Sequence, residues 1–195
     1  MKKTYLLITP IVFYLVAFIA LSSCNVGQIR RSTTADSIDI IHAMQAAYKW
    51  HDHIKDKEAY VVIVRDTLQV GVDMAQLAAT AGELKSTGYF SESFIDNYET
   101  IGKAVDNVLR HDTVKYYNEI NFGFQDADPW TFFQDDAGNY WDSFIVRDFR
   151  INADTASLKW TLRGISEADG YLVKFKREKD GWKVTYMAGF DPMHI

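Results

Sequence analysis

Tyr171-Leu172-Val173-Lys174-Phe175-Lys176-Arg177-Glu178-Lys179-Asp180-Gly181-Trp182-Lys183-Val184-Thr185-Tyr186-Met187 alternates apolar and polar residues on both sides of a turn-forming triplet. A period of two sends successive side chains to opposite faces of a strand. Tyr171, Val173 and Phe175 therefore share one face, and Trp182, Val184 and Tyr186 share another, with lysines and threonine behind them. Lys179-Asp180-Gly181 has the composition of a tight hairpin, so the two runs are antiparallel neighbours. Upstream, Leu158, Trp160 and Leu162 alternate with Lys159, Thr161 and Arg163, and Phe144–Ile151 is extended and largely apolar. Together these runs predict a meander of strands with one dry face.

The first half reads as helices. Asp36 is placed as the cap of a helix reaching about His53, with Ile38, Ile41, Met44 or Gln45, and Tyr48 at helical spacing. Tyr60–Val64 and Leu68–Val72 are short and β-branched, which favours a strand or hairpin. Asp73 can cap a second helix carrying Met74, Leu77, Ala78, Ala81 and Leu84 on one face, with Gly88 as its stop. Ser91 opens the most regular helix, whose stripe is Phe94, Ile95, Tyr98, Ile101, Val105, Val108 and Leu109. Helices first and a meander last, without crossover helices, predict an α+β fold: helices packed on a curved antiparallel sheet.

The N-terminal end carries a different message. Lys2 and Lys3 precede an apolar run from Tyr5 to Leu21, which closes on Leu21-Ser22-Ser23-Cys24. This start resembles a bacterial lipoprotein signal, with all four positions of the lipobox matched. The resemblance implies cleavage before Cys24, lipidation of that cysteine and attachment to a membrane. The expected division is a signal peptide at 1–23, a polar tether at 24–35 and one domain at 36–195. Asn25 and Val26 follow the cysteine, without the aspartate that resembles an inner-membrane retention signal, so the outer membrane is the expected location.

Removing residues 1–23 takes away two lysines and no acid, which leaves 19 basic and 26 acidic residues. A net charge of −7 argues against nucleic acid as a partner and against electrostatic adhesion to anionic lipid. Cys24 is the sole cysteine, so its acylation would exclude disulfides, thiolate metal sites and cysteine nucleophiles together.

From about Asp36 to Asp191 the element order, with the ending Asp180-Gly181-Trp182-Lys183-Val184, resembles the nuclear-transport-factor-like superfamily, the cystatin-like cone. Tyr89-Phe90-Ser91, Asp126-Ala127-Asp128-Pro129-Trp130 and the terminal hairpin are similar to lipoprotein domains of the YbjP and YqhG type. That likeness implies a fold and a lipid anchor but no activity. Enzymes of the superfamily use an aspartate or histidine at the cone mouth, for which Asp126, Asp128 and His111 are the candidates. The competing reading of Asp126 and Asp128 is an Asx turn into Pro129, and that of His111 is a helix-end cation.

His51-Asp52-His53 concentrates metal-ligand types, yet residues two apart on a helix diverge, so a polar helix end is the reading and no metal or other cofactor is expected. Asp135-Asp136-Ala137-Gly138-Asn139 lacks the spacing and distal glutamate of a calcium loop and reads as a turn between strands, with a weak surface calcium site as the lesser alternative. No phosphate-cradling glycine loop or serine-nucleophile motif occurs in the sequence. What remains is aromatic: Trp130, Phe132, Phe133, Tyr140, Trp141 and Phe144 interleave with aspartates. Such a stretch serves either as core or as a surface for a small molecule or protein, with Asp126, Asp128, Trp130, Tyr140 and Trp141 as the surface candidates.

The first functional expectation is a lipid-anchored, non-catalytic envelope binding module. The alternatives are a cone-fold enzyme using one carboxylate as base, and an immunity protein whose acidic loop blocks a cell-wall amidase.

Overall fold

The computed structural model describes residues 33–54, 59–66, 68–111, 128–132, 143–162 and 170–192. Among them, helix α1 (Thr33–His53) precedes a hairpin of β1 (Val62–Arg65) and β2 (Leu68–Val72), helices α2 (Met74–Thr87) and α3 (Glu92–His111), and strands β3 (Phe144–Asn152), β4 (Thr155–Leu162), β5 (Tyr171–Glu178) and β6 (Gly181–Met187). A single 3-10 turn at Ala188–Phe190 follows. The fold is α+β, with an antiparallel sheet in the order β3-β4-β5-β6 and a separate antiparallel pair β1-β2.

The local signals act as expected at several element ends. Asp73 accepts from the backbone N–H groups of Ala75 and Gln76, both at 3.0 Å, and so satisfies two orphan donors of α2. Gly88 ends that helix in the left-handed conformation at φ 70°. Ser91 Oγ accepts from Phe94 N–H at 3.2 Å, at the mouth of α3. The β5–β6 hairpin turns through Lys179 and Asp180, with Glu178 opposite Gly181.

Three expectations about faces need correction. Asp36 lies in the first turn of α1, not at its cap, because the helix starts three residues earlier. Its carboxylate is buried, ion-paired with Arg177 and 3.5 Å from Trp182 Nε1, while the Arg177 guanidinium lies 4.7 Å from the Trp182 ring centre. The inward stripe of α1 is consequently Asp36, Ile40, Met44, Ala47, Tyr48 and His51, and Ile38 is half exposed. The buried ion pair stands at one end of this inward stripe. Met74 and Ala78 of α2, and Val108 of α3, also face out.

In β6 the expected inward triad holds at Trp182 and Val184 and fails at Tyr186. Lys174 pairs with Tyr186 but Phe175 pairs with Val184, so Thr185 is an extra residue. A bulge of this kind reverses the alternation beyond it. Met187 goes to the core and the Tyr186 hydroxyl instead donates to Asp191 at 2.8 Å. A second bulge, between Arg147 and Arg150, places Asp148 at φ 49° in β3.

The core lies between the sheet's dry face and the helices. Trp160 Nε1–H donates to the Tyr48 hydroxyl at 2.9 Å, and the Tyr48 ring meets Phe144 edge-on, so α1 covers β3 and β4. The chain before α3 joins the β6 edge: Ser91 N–H donates to Val184 O at 2.9 Å and Val184 N–H to Tyr89 O at 2.8 Å. Asn97 of α3 donates to Phe190 O at 2.7 Å. α3 therefore rises from the sheet's edge, and its far end holds the β1–β2 hairpin. There Asp106 accepts from Val72 N–H at 2.8 Å, and nearer the start of α3 Tyr60, just before β1, stacks on Tyr98 at 5.0 Å. Burial pushes both phenols up from their ordinary range.

Candidate functional site

Five consecutive residues, Asp128-Pro129-Trp130-Thr131-Phe132, form the turn on which titratable and aromatic groups converge. The Asx-turn expectation describes its backbone. Asp128 Oδ1 accepts from Trp130 N–H at 2.9 Å, and Asp128 O accepts from the N–H groups of Thr131 and Phe132 at 3.1 and 2.7 Å. The Thr131 hydroxyl donates to Oδ2 at 3.4 Å.

The turn is keyed into the sheet from below. Tyr171 of β5 donates its hydroxyl proton to Pro129 O at 2.6 Å and accepts from Gly189 N–H at 3.0 Å. Gly189 cannot be replaced without displacement, since an added Cβ would stand 1.8 Å from Pro129 O. Trp130 is the hub of this end of the core. It meets Trp50 and Phe90 edge-on at 5.8 Å, Phe190 at 4.7 Å, and stacks on His51 at 4.8 Å. Only 2% of it is exposed, so Trp130 acts as a core anchor for the turn and its ring offers a partner nothing directly.

Beside that ring the His51 imidazole brings Nε2 within 3.8 Å of Asp128 Oδ2. This is outside hydrogen-bond range and inside the range of an ion pair when the ring is protonated. The carboxyl itself is crowded by Trp130 and His51 while about a third of its side chain still meets solvent, at 36%. Burial raises its pKa from 3.8 to about 6, and the donors at Trp130 and Thr131 only partly oppose that rise. Two imperfectly solvated titratable groups thus share one edge of the turn.

At the other edge Phe132 adopts φ 61°, a left-handed conformation that costs a non-glycine residue energy. Its ring is 37% exposed and touches Tyr171 edge-on at 4.9 Å. The turn therefore presents a partly exposed carboxylate and a partly exposed aromatic ring on a backbone pinned from behind.

Of the residues singled out from sequence, Asp128 and Trp130 meet here, and His51 joins them from α1. Asp126, Tyr140, Trp141 and Cys24, like Asp135–Asn139, lie outside the described residues. His53 is exposed and bonds through Nδ1 to Lys49 O at 2.6 Å, so His51 and His53 diverge as helix geometry requires. His111 is exposed at the end of α3 with Nδ1 2.7 Å from Asn107 O. Among the described residues, no three histidine, cysteine or carboxylate side chains gather at metal-binding distance, and no helix is long and apolar enough to cross a membrane. The roles of His51, Tyr171 and Gly189 had no signal in spacing, because their partner turn is distant in the chain.

No protein-family model, curated protein or solved structure matches this chain.

Proposed function

We propose that this protein is a lipid-anchored cell-envelope domain, held through an acylated Cys24 after removal of residues 1–23 and carried to the outer membrane. Its domain, a nuclear-transport-factor-like cone in this reading, works by binding a small molecule or protein rather than by turnover. The anchor is supported by the basic start, the apolar run and Leu21-Ser22-Ser23-Cys24. Acyl chains contribute about 0.8 kcal/mol per buried methylene, so several on one residue give stable attachment. The observation that carries the binding reading is the pinned Asp128–Phe132 turn, with its carboxylate and an exposed ring on a left-handed backbone presented together. A preordered polar and aromatic pair lowers the entropic cost of recognition.

Mass spectrometry of the envelope-extracted protein should find a lipid adduct at Cys24, and Cys24→Ser should release the protein from membranes. Affinity capture with the anchored chain, repeated with Phe132→Ala, should lose its partner in the variant. An unmodified thiol in cytosolic protein would remove the anchor, and capture indifferent to Phe132 would remove the turn from the binding reading.

A second reading has one observation in its favour: the Asp128 carboxyl, which burial pushes up to about 6, stands 3.8 Å from the His51 imidazole, an arrangement suited to acid–base work near neutral pH. Turnover of a small carbonyl substrate that is abolished in Asp128→Asn would establish it. Inertness of the native chain across such substrates leaves the binding reading in place.

A further inference from the structure

The strand register collects cations on the outward face of the four-stranded sheet. Lys159 of β4 and Lys174 and Lys176 of β5 alternate with the buried Leu158, Trp160, Val173 and Phe175 and so point away from the core, and Arg147 and Arg150 of β3 pair with Lys159 and Ser157 on that same face. Arg147 stands opposite Lys159, which stands opposite Leu172; Arg150 stands opposite Ser157, which stands opposite Lys174. Arg147, Arg150, Lys174 and Lys176 are exposed and Lys159 is partly so. Among the described residues, none of the five forms an ion pair with a carboxylate. Lys174 instead lies 4.4 Å from the centre of the Tyr186 ring.

An ordinary solvated sheet face mixes signs across its strands, since like charges directly opposite each other are destabilising. This face sets Arg147 against Lys159 and Lys176 against Lys183. Lys183 is relieved by Asp180 at 2.6 Å, whereas the first pair has no such relief among the described residues. One exposed carboxylate, Asp148, stands in the β3 bulge between Arg147 and Arg150, so cations outnumber acids there five to one. Asp154 at the β3–β4 turn, Glu178 at the turn end of β5 and Asp191 on the Tyr186 hydroxyl lie at the border. Strands about 4.8 Å apart spread the cations over a sheet surface, not around a cleft. Such an array matches many phosphates lying in a plane better than it matches one small anion.

We infer that the outward face of β3–β5 rests on a membrane surface rich in anionic phospholipid headgroups. The inference deepens the lipid-anchor reading and rests on it for delivery to the bilayer. Eight residues separate Cys24 from α1, and covalent geometry limits that stretch to about 30 Å. A domain held so close meets the headgroup plane repeatedly, and its cationic face is the one the plane attracts. The chain's net negative charge does not prevent this, because screening confines each interaction to about 8–10 Å.

The test uses the full chain with Ser157→Cys carrying an environment-sensitive fluorophore, Ser157 being partly buried between Arg150 and Lys174. Reconstitution into phosphatidylcholine vesicles should leave its emission unshifted. Vesicles containing phosphatidylglycerol should blue-shift it, and raised salt should reverse the shift. Arg150→Glu with Lys176→Glu should weaken the docked state by at least five-fold per residue, and the milder glutamine pair should do so partially. Lys103→Glu on α3, the same charge change as either replacement alone, should leave it intact. Equal emission on both lipids, or equal loss in the Lys103 variant, overturns the inference; a shift produced by an acidic protein without phosphatidylglycerol reassigns the face and overturns it too. Failure of the anchor shows separately, as an unmodified Cys24 and no flotation with phosphatidylcholine vesicles. In that event Cys24→Ser leaves position 157 as the single labelled site, and the same lipid-dependent shift, measured with vesicles added to that chain, still decides the patch.

Discussion

The two faces of the β3–β6 sheet share the same backbone and differ in what their side chains meet. The inward face places Leu158, Trp160, Tyr171, Val173, Phe175 and Val184 against the helices and the Trp130 turn. The outward face sets cation opposite cation. Removing a side chain inside leaves a void or an unsatisfied polar group, while changing one outside alters a field that water already screens. Stability should therefore be concentrated on one face and electrostatic selectivity on the other, although the residues are neighbours in sequence.

The largest effect should come from Trp130→Ala. Loss of the hub ring is expected to cost about 3–5 kcal/mol, read by chemical denaturation, in the range for buried aromatic truncations. A cost under about 1 kcal/mol would break the comparison, since it would make this end of the core dispensable. Tyr171→Phe preserves the ring and deletes the hydroxyl that joins Pro129 O to Gly189 N–H. Leaving those groups unpaired should cost about 1–3 kcal/mol and loosen the Asp128–Phe132 turn, seen as faster amide exchange there.

Asp128 sits where the two kinds of environment meet, and its effect should depend on pH. A carboxyl whose folded pKa is about 6 binds its proton more tightly in the native state than in the unfolded chain, where it titrates near 3.8. Its contribution to stability is then fully present below about pH 4 and is lost as pH rises through about 6. Partial exposure reduces the size to about 1 kcal/mol. Asp128→Asn keeps an oxygen for Trp130 N–H and should flatten this part of the pH profile. A profile unchanged between pH 4 and 6 would show that the carboxyl is ordinary.

The smallest change belongs to the outward face. Lys159→Glu converts its contact with Arg147 from repulsion to attraction and should stabilise the protein by about 0.2–1 kcal/mol at low salt. Destabilisation of that size would mean the face is not frustrated, and would sharpen the contrast in the opposite direction.

Much of the framework was legible beforehand at particular residues. Asp73, Gly88 and Ser91 mark helix ends through contacts spanning a few positions, and Lys179-Asp180-Gly181 turns the last hairpin for the same reason. The candidate site was legible only in half. Asp128-Pro129-Trp130 announced a turn and an aromatic ring, but His51 lies on another element 77 positions earlier, and no periodicity links the two. The net charge did not show where the cations lie, because a count averages over a surface that the ladder register sorts.

From the sequence alone follow the order of helices and strands, the antiparallel meander, the helix ends at Asp73, Gly88 and Ser91, the last hairpin turn and the expectation of a lipid-modified Cys24. These rest on short-range propensity and period, which a single chain segment expresses by itself. Only the tertiary structure decided that Asp36 rather than Ile38 turns inward, that a bulge at Thr185 sends Tyr186 out and Met187 in, that His51 stands beside Asp128, and that Arg147 faces Lys159. Each of those outcomes depends on which distant groups come to share a space, and that is settled by packing and register between elements, not within them.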